Sequence, residues 1–511
     1  MSEQDKAKLP DLAAGVPAGA IAEGAMLAGK VGEAAVLVAR VDGALYAIGG
    51  ECTHYHAPLA DGLIKDGTVR CPWHHACFSL KTGEAVGAPA FDPVACYAVE
   101  ESGGQVFVRE PIETPPVAAP STGGASAAPG RVVIVGGGAG GFAAAEMLRR
   151  KGYAGELVML SAEPDAPYDR PNCSKDFLSG DAPPEWMPLR DEAFYADHDI
   201  DLRLATEARS LDPAARTLTT ASGETIAWDV LVLATGAEPQ RPQIPGLDGE
   251  GVFLLRSLAD ARAVVGAAKT AKVAAVIGAS FIGLEAAAAL RKRGLEVHVV
   301  APDRVPFEKV LGAQVGLWAQ GVHEAKGVVF HLGRKVEGWA DGRLTLDDGA
   351  AIAADLVVVG AGVKPRVALA EAAGLTVDNG VVVDDRLRAA PHIYAVGDIA
   401  RYPEPISGRL ARIEHWVHAQ RQGQHVARLI MGEDAPFADV PFFWSAHYDA
   451  AVHYDGHAEA FDPPTVEGSV EAYDAVVRYA KDGNLLAVAT LDRDTASLEA
   501  EAAFEDARRN P

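Results

Sequence analysis

The sequence predicts a multidomain chain: a small all-β module at the N-terminus, two doubly wound α/β units, and a small α+β domain at the C-terminus. Three observations predict it. Short β-rich runs separated by Gly and Asp turns occupy roughly the first 110 residues. A strand–glycine turn–helix unit then occurs twice, about 140 residues apart. A stretch rich in Pro, Ala, Gly and Ser, residues 111–130, separates the two regimes.

Within residues 1–110, the runs 34–41, 69–71 and 106–108 read as strands. Residues 111–130 (PIETPPVAAPSTGGASAAPG) lack apolar periodicity and read as a semi-flexible linker. At Arg131 the pattern changes: Val132-Val-Ile-Val135 is a buried-strand run, followed by a glycine turn and an Ala-rich helix. The same unit returns at 273–293, and further strands follow at 156–160 and 296–300. Two copies of this unit, each followed by another strand, predict two doubly wound α/β domains. Residues 435–511, with Pro441-Phe-Phe-Trp-Ser445 and strands at 475–479 and 485–491, form the terminal α+β domain.

The 511 residues, 49% hydrophobic, suffice for three or four domains. A net charge of −24 argues against non-specific binding to nucleic acid or anionic membranes. It fits a soluble cytosolic protein; a docking face for a basic partner is the sharper alternative. The five cysteines, Cys52, Cys71, Cys77, Cys96 and Cys173, cannot form a dense disulfide framework and point to a reducing, cytoplasmic setting. Residues 1–11 lack the charged and apolar regions of a signal peptide. The most apolar long stretch, 272–290, carries a glycine fingerprint and Glu285, and reads as strand–turn–helix rather than a membrane span.

Two cysteine–histidine pairs carry the first chemistry: Cys52-Thr-His54 and, after sixteen residues, Cys71-Pro-Trp-His74. C-x-H followed by C-x-x-H is the ligand set of a Rieske-type [2Fe–2S] centre, in which imidazoles replace two thiolates on one iron and raise its potential. The short spacings let each of two tight loops supply one Cys and one His, and Pro72 stiffens the second. Zinc also accepts two Cys and two His, but its finger spacing groups the cysteines and the histidines separately. His56, His75 and Cys77 lie beside the ligands and read as surface or packing residues.

The first glycine turn, VVIVGGGAGG, sets Gly136, Gly138 and Gly141 in G-x-G-x-x-G between strand and helix, where backbone N–H groups receive a pyrophosphate. Glu163, just past the second strand, is the acid expected on a ribose. The second turn reads VIGASFIGLE. Gly278 and Gly283 match, Ser280 replaces the middle glycine, and Ala301 and Pro302 stand where an acid would follow. Both NADH and NADPH therefore stay open. Arg304 has two readings of equal weight, a contact to a 2′-phosphate or a solvated loop residue. Two fingerprints in matched contexts beside an iron–sulfur ligand set predict an internal electron path linking nicotinamide, flavin and cluster.

Four further motifs carry a resemblance. Pro167-Tyr-Asp-Arg-Pro-Asn-Cys-Ser-Lys175, Leu233-Ala-Thr-Gly236, Ile393-Tyr-Ala-Val-Gly-Asp398 and Glu414-His-Trp416 resemble those of flavin-dependent ferredoxin reductases within the pyridine-nucleotide oxidoreductases. Residues 20–110 resemble a Rieske ferredoxin, and the fused order resembles apoptosis-inducing-factor-like proteins with an N-terminal Rieske domain. The resemblance implies FAD in 131–250 and 366–434, and NAD(P) in 251–365. It implies that residues 136–141 bind FAD, with Arg170 and Lys175 near the isoalloxazine and Asp398 on the ribityl chain. Thr235, Gly236 and Gly397, inside the quoted motifs, are cofactor-binding positions in the same sense. Lys175 is expected to pair with Glu285 near flavin N5 as the catalytic pair, with an ordinary interdomain ion pair as the plain alternative. Trp416 is expected beside the flavin, and Phe443 and Trp444 as an aromatic wall, with core packing as the alternative.

The sequence departs from the family pattern twice. His56 and His75 stand where Rieske loops often have Gly, which bears on the cluster's potential and pH dependence. Cys173 stands where Leu is usual; a buried apolar replacement is favoured over an active-site thiol. The resemblance implies an NAD(P)H-dependent FAD oxidoreductase feeding its own Rieske [2Fe–2S] cluster, which serves an external acceptor such as a ferredoxin or oxygenase component. The linker is expected to keep the cluster at high effective concentration near the flavin. A homodimer is compatible with this reading. The alternative is a redox-sensing flavoprotein in which nucleotide binding controls interactions rather than turnover.

Overall fold

The computed structural model describes residues 8–113 and 128–509. Most of the expected linker, 114–127, therefore lies outside the described residues. Its first two residues are strand: Gln105–Ile112 continues past a bulge, with Pro111 opposite Tyr97 and Ile112 opposite Cys96. The bulge accommodates a proline that cannot donate to the ladder.

The N-terminal module is all-β. Its six-stranded antiparallel sheet includes Ala34–Val41, which matches the expected strand, and Gln105–Ile112. A four-stranded sheet, Leu63–Lys65, Thr68–Arg70, Cys77–Ser79 and Ala85–Gly87, carries the second Cys–His pair. The strand expected at 69–71 ends at Arg70 because Cys71 already belongs to a loop.

Both glycine fingerprints open doubly wound units. β1 (Arg131–Val135) pairs in parallel with Glu156–Leu160 on one side and Val230–Leu233 on the other, and α1 (Ala139–Arg150) follows it. Val230–Leu233 also pairs with Ile393–Ala395, so the second unit is inserted between the two halves of the first. That unit is a five-stranded parallel sheet centred on β2 (Val273–Ile277), followed by α2 (Phe281–Lys292). Strands buried on both faces read as unbroken apolar runs, here Val230–Leu233 and Leu356–Val359.

α3 (Trp416–Ile430) returns to the first unit and crosses α1 at touching distance. A Cβ on Gly423 would lie 2.1 Å from Gly140 O, so only glycine permits the crossing. The terminal domain is a five-stranded antiparallel sheet starting at β3 (Phe442–His447), with α4 (Asp494–Arg509) packed across it. The strands expected at 475–479 and 485–491 fall inside Asp474–Lys481 and Asn484–Leu491. No helix among the described residues is long and apolar enough to cross a membrane.

The terminal domain joins the second α/β unit through two buried histidines. His323 Nε2 lies 3.1 Å from His447 Nδ1, and burial pushes each imidazole down to about 3 from the ordinary 6.5. Below pH 6.5 the unfolded chain binds more protons than the folded one at these rings. Stability is therefore lost as the pH falls from 6.5 toward 3, by up to about 1.4 kcal/mol per pH unit per ring. Acid unfolding followed by circular dichroism between pH 6.5 and 4.5 is expected to be shallower in His323→Leu than in the wild type.

Candidate functional site

A cavity of about 1370 Å³ lies where the two α/β units and the terminal domain meet. The first glycine turn forms one end of it. Gly136 takes φ +123°, where a Cβ would sit 2.1 Å from Ala234 O, and a Cβ on Gly141 would sit 1.9 Å from Gly136 O. Gly138 differs: it is the extended N-cap of α1, and no heavy atom lies within 4 Å of its Cβ position. The turn therefore offers an open cradle at the head of a helix, which fits the pyrophosphate of FAD. The second turn repeats the arrangement. Gly278 takes φ +110°, a Cβ on Gly283 would sit 2.1 Å from Gly278 O, and Ser280 is the extended N-cap of α2. Serine has thus replaced glycine at the one position of the three where neither φ nor a backbone contact requires it.

The acids expected on the cofactor line the same cavity. Glu163 accepts from Tyr168 Oη at 2.6 Å and Arg170 at 2.8 Å; burial raises its pKa, but these two donors outweigh burial and hold it below the ordinary range. Arg170 also donates to Arg256 O at 3.0 Å, and Arg256 pairs with Asp398. The N–H of Gly397 donates to Gln422 Oε1 at 2.7 Å, and Thr235 Oγ1 donates to Arg366 O at 2.7 Å beside Gly236. Trp416, at the start of α3, completes this wall. Arg304 does not line the cavity. Its side chain is 85% exposed and pairs with Glu308 at 2.9 Å, which is the solvated-loop arrangement.

At the centre stands Glu285 on α2, 3% exposed. Its Oε2 accepts from Lys175 Nζ at 2.9 Å and Ser174 Oγ at 2.7 Å, and its Oε1 accepts from Ser445 Oγ at 2.8 Å. Three donors from two neighbouring domains satisfy a carboxylate that burial would otherwise penalise. The sequence reading missed both serines. Ser174 stands inside a quoted motif and Ser445 next to Trp444, but hydroxyls are too common to single out without their partner. Cys173 also lines the cavity; burial pushes its thiol up to about 12, so it stays protonated at neutral pH.

The two Cys–His pairs sit on twin loops, 52–57 and 71–76. Cys52 N–H donates to Ala57 O at 2.9 Å and His56 N–H to Cys52 O at 2.9 Å; Cys71 N–H donates to Ala76 O at 2.8 Å and His75 N–H to Cys71 O at 3.2 Å. His56 and His75 take φ +58° and +60°. This left-handed backbone is why glycine suits those places, and His is among the residues that tolerate it. His56 is exposed, whereas His75 is fully buried.

The loops bring like with like. The Cys52 and Cys71 thiols act on each other, the pairing lowering the pKa of Cys52 and raising that of Cys71, and His54 Nδ1 lies 3.3 Å from His74 Nδ1. Burial keeps both imidazoles neutral, His54 down to about 4 and His74 well below its ordinary 6.5, as metal ligands require. Among the described residues no three Cys, His, Asp or Glu side chains converge on a single metal position. A thiol pair facing an imidazole pair suits a two-iron cluster, with one iron for each, better than one tetrahedral zinc.

These loops touch the cavity wall. The His74 ring lies 4.2 Å from the ring of Trp444, which lines the cavity, and Lys175 Nζ lies 5.7 Å from the same Trp444 ring. Tyr55, stacked on His54 at 4.1 Å, donates to Asp169 and accepts from Asn172 Nδ2 at 2.8 Å. Replacing Ser445 with Ala leaves Glu285 Oε1 without its donor; a loss of about 1–3 kcal/mol is expected, read as a lower thermal unfolding midpoint.

Comparison with known proteins agrees with this geometry. Residues 130–423 match the pyridine nucleotide-disulphide oxidoreductase family model, and residues 15–98 match the Rieske [2Fe-2S] domain model. The chain is 31% identical over 484 residues to apoptosis-inducing factor 3 of Homo sapiens, spanning 91% of this chain and 79% of that protein. It is 36% identical over 354 residues to the ferredoxin–NAD(+) reductase component of the anthranilate 1,2-dioxygenase system of Burkholderia cepacia, spanning 68% and 87%. Among solved structures, the covalent putidaredoxin reductase–putidaredoxin complex aligns with a TM-score of 0.71 at 30% identity, over 74% of this chain and 93% of that one. The ferredoxin reductase of the CYP199A2 system from Rhodopseudomonas palustris aligns at 0.68 and 33%, over 71% and 91%. The chain therefore belongs to the pyridine nucleotide-disulphide oxidoreductase family, as an FAD-dependent oxidoreductase of ferredoxin-reductase type fused behind a Rieske [2Fe–2S] domain.

Proposed function

We propose that this protein takes electrons from NAD(P)H, passes them to its own Rieske cluster, and delivers them to an external acceptor protein, a ferredoxin or an oxygenase component. The single observation that carries this reading is the 4.2 Å contact between His74 and Trp444, because it joins a ligand loop to the cavity wall. The bound cofactors supply the conversion of one hydride, carrying two electrons, into two single-electron deliveries.

The residues divide the work of holding them. The turn 136–141 and the head of α1 take the FAD pyrophosphate, Glu163 a ribose hydroxyl, and Asp398 the ribityl chain, with Arg170, Thr235, Gly236, Gly397 and Trp416 shaping the pocket. Gly278, Ser280 and Gly283 take the nicotinamide dinucleotide. Lys175 presents its ammonium to the cavity, and Glu285, fixed by Ser174 and Ser445, holds it in place. Cys52 and Cys71 ligate one iron, and His54 and His74 the other. The relative named for an anthranilate 1,2-dioxygenase system supports an oxygenase-linked acceptor.

Anaerobic titration with NADH and then NADPH, read by visible absorption and low-temperature electron paramagnetic resonance, tests the route. Flavin bleaching with a reduced Rieske signal is expected; bleaching with a cluster that stays oxidised overturns it. In Trp444→Leu, stopped-flow reduction of the cluster is expected to slow by roughly tenfold to a hundredfold through lost positioning, with a smaller effect on bleaching of the flavin.

A further inference from the structure

Glu501, on α4, has no exposed side-chain surface and joins three domains. From the Rieske module, Arg70 Nη1 reaches its Oε2 at 3.1 Å and His75 Nδ1 donates to the same oxygen at 3.0 Å. From α3 of the first α/β unit, Arg421 Nη1 reaches Oε1 at 2.5 Å, and Arg421 Nη2 donates to His75 O at 3.0 Å. Glu505, one turn on, takes Arg70 through two bonds of 3.0 and 2.7 Å. Both arginines are 7% exposed. Charges buried this deeply persist only while every partner is in place, so detaching the Rieske module would strand them.

Weaker contacts surround the node. Gln424 accepts from Ala88 N–H at 3.1 Å, Arg428 donates to Val86 O at 2.7 Å, and Arg190 grips Asp92 through two 2.8 Å bonds. On the far side of the ligand loops, His74 lies against Trp444, and Tyr55 covers Asp169 and Asn172. The loops thus occupy the outer face of the wall that Trp444 forms.

We infer that Glu501 is the positioning residue that fixes the Rieske domain on the reductase, and that this docking closes the Trp444 edge of the cavity to external proteins. The cluster is then their electron source, and direct contacts rather than a tether of given length set its distance from the cavity. This rests on the electron route proposed above. Each NAD(P)H still supplies two electrons, which leave singly to two one-electron acceptors.

The test uses the purified holoprotein and its Glu501→Gln variant, with flavin and cluster content verified by absorption and electron paramagnetic resonance. In small-angle scattering the wild type is expected to keep one radius from low to molar salt, because buried pairs are weakly screened. A detached domain in the wild type overturns the inference. In Glu501→Gln the radius is expected to rise and the amides of 85–88 to exchange faster. NAD(P)H-dependent ferricyanide reduction is expected to stay unchanged, while cluster reduction slows by about tenfold or more. Reduction of an added all-Cys [2Fe–2S] ferredoxin is expected to increase several-fold as the wall is uncovered. Cluster reduction at the wild-type rate in a folded variant overturns the inference. Where the variant does not fold, the wild-type scattering decides by itself. Failure of the route is distinct: the wild-type cluster would never be reduced.

Discussion

The ionised carboxylate of Glu501 has no contact with solvent, and the arrangement of three domains has to be compatible with that. Burial alone would raise its pKa, but Arg421 and His75 outweigh burial and hold it well below the ordinary range. Its neighbour Asp455 goes the other way: burial and the charge on Glu501 push it well above the ordinary range, and Ser497 Oγ binds it at 2.6 Å. Two guanidinium groups, Arg70 and Arg421, lie against the two carboxyl groups of Glu501 and Glu505. A balance of this kind has one geometry, because each ion is stabilised by groups from a different domain. The orientation of the Rieske module follows from it.

Glu285 repeats the principle at the cavity. It too is a buried carboxylate whose donors come from elsewhere in the chain, and its ion pair with Lys175 ties the first α/β unit to the second while Ser445 ties in the terminal domain. One buried acid thus places the Cys–His loops and the other shapes the chamber. Trp444 stands between them, one strand residue from Ser445 and one ring contact from His74. The same short strand, β3, therefore serves both the inside and the outside of the cavity wall.

Several local features were legible in the chain. The glycines at the ends of each fingerprint are demanded by backbone contacts within a few residues, so their pattern transmits the strand–turn–helix directly. The substitution of Ser280 for glycine is harmless for the same reason, since the middle position is an ordinary extended N-cap. The Cys–His spacings encode two tight loops, and His56 and His75 keep the positive φ that glycine supplies most readily because His is among the residues that tolerate it. Less was legible at the module's edge, where Gln105–Ile112 continues into Pro-containing sequence because a bulge absorbs the proline.

By itself the sequence determined the order of domains, both glycine turns, and the two Cys–His loops, because each depends on residues close together in the chain. The tertiary structure alone decided which partners complete the buried charges: Ser174 and Ser445 on Glu285, Arg256 on Asp398, and Arg70, His75 and Arg421 on Glu501. It also decided that His74 meets Trp444. These pairings join residues far apart in sequence. Their physical basis is the desolvation of charge, which no local spacing records and which acts only once the domains have closed over it.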